Sequence, residues 1–156
     1  MNRLMICAGP MRRPGWRTLD ARLQHAPDFC AILPPLPDAV KVELWDEIEW
    51  IHGVTSLYPW EAEQVLREIR EVLAPDGKLI LEQPDARKAA QLAINAGNPR
   101  WLFGDPTLRE PLIMNRWAYT PESLIDVLKE AGFGRIAILP AQHHVPARDF
   151  RVEACA

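Results

Sequence analysis

The stretch LWDEIEWIHGVTSLYPWEAEQVLREIREVLAPDGKLILE, Leu44 to Glu82, decides the fold. Leu44 to Ile51 carries aromatic and β-branched side chains and reads as a strand. From Trp60 to Leu73 the apolar residues Ala62, Val65, Leu66, Ile69, Val72 and Leu73 recur at the helical period. Pro59 stands at the helix entry, and Glu61 and Glu63 lie in the first turn, where acids complement the positive end of the helix dipole. The outer face pairs Glu63 with Arg67 and Arg67 with Glu71 at i,i+4 spacing, the mark of a solvated face rather than a binding site. Ala74-Pro75-Asp76-Gly77 then turns the chain into a compact strand, Lys78 to Glu82, with Leu79, Ile80 and Leu81 in a row. Strand, helix, strand in that order is the unit from which parallel sheets are built.

Working outward, Arg3 to Ala8 reads as a buried strand ending at the Gly9-Pro10 turn, Trp16 to Ala21 as a second strand closing at Leu19-Asp20, and Asp28 to Leu33 as a third, stopped by Pro34-Pro35. Only about ten residues separate the first two, fewer than a parallel crossover normally takes, so any helix between them is one turn or missing. Downstream, Asp85 caps a helix from Ala86 to about Ala96, with Gly97 as its stop. Residues 98–117 lack a clean period and read as an ordered loop insertion. Thr120-Pro121-Glu122 starts a helix whose buried stripe is Leu124, Val127, Leu128 and Ala131, ended by Gly132. Arg135 to Leu139 and Asp149 to Ala154 close the chain as a strand pair. The expected fold is α/β: a doubly wound, mainly parallel sheet with an antiparallel C-terminal edge pair and a reduced or missing first helix.

At 156 residues and 48% hydrophobic content, the chain is expected to form a single domain over 1–156. A net charge of −3 indicates no nucleic-acid partner. Cys7, Cys30 and Cys155 are odd in number and follow no CxxC spacing, which argues against a disulfide framework and against a zinc knuckle; reduced thiols fit a cytoplasmic protein. The apolar run Leu4 to Ala8 is too short for a signal-peptide core or a membrane span, so no membrane partner is expected. His143-His144 invites a metal reading, but adjacent side chains diverge and no nearby cysteine or acid completes a site, so no metal is expected.

In a doubly wound sheet the ligand lies beyond the carboxyl ends of the strands, where strand order reverses. Candidates there are Cys7, Ala8, Gly9 and Pro10 after the first strand, Asp20 and Ala21 after the second, Ile32 and Leu33 after the third, and His52 after the fourth. A glycine after the first strand lets backbone approach a ligand, and an acid ending the second accepts from ribose hydroxyls. The plainer alternatives are an ordinary turn at Gly9-Pro10, a capping acid at Asp20 and a loop-bound histidine at His52. Tyr58 and Asp85 are secondary candidates, Asp85 being first of all a helix cap. Trp101, Phe103 and Trp117 either stack on a substrate or anchor the insertion, and exposed tryptophans in the insertion also suggest pairing with a second copy of the chain.

The order of segments resembles the class I S-adenosylmethionine-dependent methyltransferases, with a Rossmann-like sheet, and in particular their small type 11/12 domains with a glycine-proline turn. The resemblance rests on Cys7-Ala8-Gly9-Pro10, Pro14-Gly15-Trp16, Leu19-Asp20, Leu36-Pro37, Asp46-Glu47-Ile48 and His52, then on Leu66-Arg67-Glu68-Ile69, Val72 to Gly77, Pro84-Asp85, and Leu128 with Ala131-Gly132-Phe133. It implies that Cys7 to Pro10 line the methionine portion of the cofactor, that Asp20 and Ala21 meet the ribose, that Ile32 and Leu33 border adenine, and that His52 faces the sulfonium methyl and the acceptor. A short first connection is itself a property of this group. The sequence departs from the pattern where Cys7 and Ala8 replace common glycines, where Ile32 replaces an acid that receives the adenine amino group, and where Thr55-Ser56 replaces a glutamate-histidine pair.

The function implied is transfer of a methyl group from S-adenosylmethionine to an oxygen or nitrogen of an unidentified acceptor, with His52 as the catalytic base. An imidazole titrating near pH 6.5 takes a proton at neutral pH. The alternative is a catalytically degenerate methyltransferase-like binding or assembly module, suggested by Ile32 and Thr55-Ser56. A dinucleotide-dependent oxidoreductase is disfavoured, because GxGxxG is absent and the first crossover leaves no room for a phosphate-binding helix.

Overall fold

The computed structural model describes residues 1–156. Its strands are β1 (Arg3–Ile6), β2 (Arg17–Asp20), β3 (Phe29–Cys30), β4 (Trp45–Ile51), β5 (Leu73–Pro84), β6 (Gly134–Pro140) and β7 (Asp149–Cys155). They form one sheet in the order β3-β2-β1-β4-β5-β7-β6. Pairing is parallel from β3 to β5, and β7 runs antiparallel to both β5 and β6. The closing pair is antiparallel as expected, but β7 slots between β5 and β6 and leaves β6 as the edge. Order reverses between β1 and β4, which opens a crevice at their carboxyl ends.

Strands covered on both faces carry unbroken apolar runs. Leu4, Met5 and Ile6 of β1 and Leu79, Ile80 and Leu81 of β5 are all buried. The helices are α1 (Asp38–Lys41), α2 (Pro59–Val72), α3 (Ala86–Ala96), α4 (Arg100–Phe103) and α5 (Pro121–Glu130). α2 buries Ala62, Val65, Leu66, Ile69 and Val72, the stripe its periodicity predicts. Each larger side chain of that stripe contributes about 2 kcal/mol before chain entropy is subtracted. α5 buries Leu124 and Leu128, and Thr120 Oγ1 accepts from Ser123 N–H at 3.2 Å to cap it. No helix is long and apolar enough to cross a membrane.

β1 and β2 pair in parallel although no helix separates them. Two tight turns make the connection, closed by Met11 N–H to Ala8 O at 3.1 Å and Trp16 N–H to Arg13 O at 3.1 Å. The guanidinium groups of Arg3 and Arg13 lie 5.6 and 5.5 Å from the Trp16 ring and cover it in place of a helix.

Two expectations need correction. The third strand shrinks from Asp28–Leu33 to Phe29–Cys30, because the Asp28 carboxylate receives Thr18 N–H at 2.7 Å where a strand would offer backbone, and Pro34-Pro35 have no N–H to continue a ladder. The turn at Ala74–Gly77 is a bulge inside β5, since pairing jumps from Trp45↔Leu73 to Glu47↔Lys78. A Cβ on Gly77 would lie 2.8 Å from the carbonyl oxygens of Ala74 and Trp45, so only glycine closes that bulge. The insertion 98–117 holds α4 and two 3₁₀ turns, whose leading acids Asp105 and Glu110 accept from Thr107 N–H at 2.9 Å and Leu112 N–H at 3.1 Å.

Candidate active site

Two of the central strands end in a residue forced into the left-handed region. Cys7 after β1 has φ 56° and His52 after β4 has φ 54°. Such backbone costs free energy in a non-glycine residue and here clusters at one rim of the sheet. Gly9 also has φ 57°, and a Cβ there would meet nothing closer than 3.7 Å, so the dihedral rather than crowding selects glycine.

This turn aims the Gly9 N–H at Asp20 Oδ2, 2.8 Å away. Asp20 Oδ1 accepts from Arg22 N–H at 2.9 Å and Arg22 Nε at 3.3 Å, with His25 Nδ1 also 3.3 Å away. Burial pushes the Asp20 carboxyl up, but the backbone N–H groups of Arg22 and Gly9 and the Arg22 guanidinium outweigh it and hold the group below its ordinary value. Asp20 is therefore a buried, ionised carboxylate with most of its accepting capacity in use.

Above these ends lies a cavity of about 660 Å³, within the range of small-molecule sites. Cys7, Ala8, Gly9, Pro10, Asp20, Ala21 and His52 line it, and the insertion closes it with Trp101, Leu108, Leu112 and Ile113. A smaller hollow of about 80 Å³ adjoins it, sharing Cys7, Asp20, Ala21 and Gly53 and adding Ala31, Ile32 and Leu33. All nine candidate residues thus reach one continuous depression. Cys7 is exposed to the hollow, yet the protein around it desolvates the thiol and pushes it up to about 11, so no thiolate is offered at neutral pH.

His52 donates its backbone N–H to Glu82 O at 2.8 Å, and its Nε2 lies 2.6 Å from Asp149 Oδ2. The Asp149 side chain is fully buried, and Arg148 Nε donates to its Oδ1 at 2.5 Å. Burial raises the Asp149 carboxyl, but the hydrogen bonds from His52 and Arg148 more than offset this and leave it below the ordinary value. The His144 ring packs 4.2 Å from that of His52, and burial, then the neighbouring His52, push His144 below its ordinary value. His143 lies 3.2 Å from the Glu49 carboxylate, which also receives Arg13 Nη2 at 3.1 Å. Buried Glu82 takes the N–H groups of Gln142 and His143 at 2.9 and 2.6 Å and holds this loop over the cavity. No three histidine, cysteine or acidic side chains converge as a metal site.

Other candidates fall elsewhere. Asp85 accepts from Arg87 N–H at 2.9 Å as the α3 cap, and Tyr58 stacks on Trp60 at 4.8 Å, outside the cavity. Trp101 lines the cavity, whereas Phe103 and Trp117 do not and are half exposed. Thr55 anchors the insertion: its carbonyl accepts from Arg116 and Trp117 N–H at 2.8 and 3.2 Å, and its hydroxyl donates to Asn115 Oδ1 at 2.7 Å. Reading the sequence missed Arg22, Arg148, Asp149 and the stacked His144. Only Arg22 left a signal, standing two residues past the acid, where a side chain folds back.

No family model matches the chain, and no curated protein matches it. Solved structures do. A S-adenosylmethionine-dependent methyltransferase from Clostridium acetobutylicum superimposes with a TM-score of 0.71 at 10% identity, over 99% of this chain and 83% of that one. One from Archaeoglobus fulgidus gives 0.64 at 14% identity, over 98% and 85%. PigF, solved with S-adenosylhomocysteine, gives 0.60 at 13% identity, over 99% of this chain but only 50% of its own. The chain has the class I S-adenosylmethionine-dependent methyltransferase fold.

Proposed function

We propose that this protein transfers a methyl group from S-adenosylmethionine to an oxygen or nitrogen of an unidentified acceptor. The observation that carries the reading is the meeting of Gly9 and Asp20 at the mouth of an open cavity that also contains His52. The residues present fit an adenosyl ligand. Asp20 Oδ2 has one protein partner, Gly9, and keeps accepting capacity for a ribose hydroxyl, while Ala31, Ile32 and Leu33 offer an apolar bed to the base. When bound, S-adenosylmethionine supplies an electrophilic methyl on a cationic sulfur.

The chain's own residues then hold the acceptor about 3 to 3.5 Å from that methyl and keep water out, since in-line displacement depends mainly on approach geometry. Trp101, Leu108, Leu112 and Ile113 close the cavity over the strand ends, and His52 receives the acceptor's proton. Three unpaired thiols fit residence in the cytoplasm.

A second reading is favoured by Arg22, whose guanidinium occupies Asp20 Oδ1, and by Ile32, which gives the adenine amino group no acceptor. On it, the chain is a methyltransferase-like binding module without turnover. Isothermal titration with S-adenosylmethionine, followed by an acceptor panel using a labelled methyl group, separates the two. Binding with product formation supports the enzyme, binding without product supports the module, and no heat at millimolar cofactor contradicts both.

A further inference from the structure

We propose that Asp149 is a positioning residue for His52, fixing the imidazole in the tautomer that leaves Nδ1 free to take the proton of an O–H or N–H acceptor. This inference rests on the methyl-transfer reading and adds a residue to it from the far side of the sheet, more than ninety positions from His52.

An ionised carboxylate only accepts hydrogen bonds. His52 Nε2 lies 2.6 Å from Asp149 Oδ2, so the hydrogen sits on Nε2 and the neutral form of the ring has its lone pair on Nδ1. Two contacts prevent the pair from rearranging. Arg148 holds both carboxylate oxygens, Nε on Oδ1 at 2.5 Å and Nη2 on Oδ2 at 3.1 Å, and the His144 ring packs against that of His52 at 4.2 Å. The left-handed backbone at His52 turns the residue out of β4 and into the cavity wall.

The step balances. An acceptor lone pair forms the bond to the methyl carbon as the sulfur–carbon bond breaks, and its electron pair stays on sulfur. The acceptor's proton passes to His52 Nδ1, and the imidazolium is stabilised by Asp149, which remains ionised throughout.

The geometry gives a sharp test in Asp149→Asn. Of the two Arg148 contacts, Nε on Oδ1 at 2.5 Å is shorter than Nη2 on Oδ2 at 3.1 Å, so the substituted amide keeps its oxygen at the Oδ1 position, gives up the Nη2 contact and turns its NH₂ group to His52 Nε2. That donor drives the ring hydrogen onto Nδ1, the wrong tautomer for a base facing the cavity. Nitrogen-15 correlation spectra of the His52 ring, at a pH above which they no longer change, are to be recorded for the full chain and the variant, alongside titration with S-adenosylhomocysteine. The expected result is Nε2–H in the wild type and Nδ1–H in Asp149→Asn, with affinity for S-adenosylhomocysteine unchanged within about twofold, since the substitution alters proton placement and not the cofactor bed. Nδ1–H in the wild type, a measurement that needs no variant, overturns the assignment, as does retention of Nε2–H in Asp149→Asn. Wild-type protein that shows Nε2–H but binds no S-adenosylhomocysteine overturns the methyl-transfer reading and, with it, the role in catalysis, while leaving the hydrogen bond intact.

Discussion

The N–H of Gly9 donates to Asp20 Oδ2 at 2.8 Å, so one hydrogen bond ties the loop after β1 to the end of β2 at the wall of the cavity. Asp20→Ala removes that acceptor and leaves Arg22 without its carboxylate. The expected cost is about 2 to 4 kcal/mol of stability, the usual penalty for orphaning a buried donor and half an ion pair. Affinity for S-adenosylmethionine is expected to fall at least about tenfold, or 1.4 kcal/mol. Urea denaturation and isothermal titration on the same preparation read both.

If the cavity takes S-adenosylmethionine, Arg22 competes with the ribose for the Asp20 carboxylate, because its backbone N–H and Nε both point at Oδ1. Arg22→Met keeps the apolar stem and frees that oxygen on the side-chain side. Cofactor affinity is expected to rise severalfold, checked by titration calorimetry; a fall would show that the guanidinium serves the ligand directly.

Gly53 lies against the fixed indole of Trp50. A Cβ there would sit 1.9 Å from Trp50 Nε1 and 2.9 Å from Cys7 Sγ, and Trp50 is fully buried with no room to retreat. Gly53→Ala is expected to lose at least about 2 kcal/mol through overpacking, measured as a shift in the urea midpoint.

Acid sensitivity should come in two limbs. His144 is held below its ordinary value in the folded state, so on acidification the unfolded chain takes up the proton first. Stability therefore begins to fall as pH drops through about 6.5 and keeps falling until the folded ring also titrates. Asp20 and Asp149 are also held low, and for acids the stabilisation is complete above the unfolded value near 4 and lost as pH falls through the folded ones. In His144→Asn the first limb should flatten and the second remain, as read from urea midpoints across pH.

Much of the architecture was legible because local signals and tertiary packing agree. The α2 stripe from Ala62 to Val72 names its own buried face, and the missing first helix follows from the short spacing between Ile6 and Arg17. What failed was what depends on side-chain partners and strand order that the local period does not carry. The Asp28 carboxylate displacing strand pairing at Thr18 is a side-chain choice that periodicity does not encode. β7 entering between β5 and β6 is equally silent, and that placement is what brings Asp149 to His52. The candidate site was legible only in part for the same reason. Residues at the ends of β1, β2 and β4 follow from strand order, whereas Arg148, Asp149 and His144 arrive from a closing segment whose direction only the assembled sheet decides.

The claim on which the rest depends is that the cavity between Gly9, Asp20 and His52 holds an adenosyl ligand. A crystal structure of the protein grown with S-adenosylhomocysteine tests it most directly. The account predicts the ribose hydroxyls on Asp20, the base between Ile32 and Leu33, and the thioether sulfur facing His52. An empty cavity at saturating ligand, or a ligand bound without touching Asp20, would contradict it.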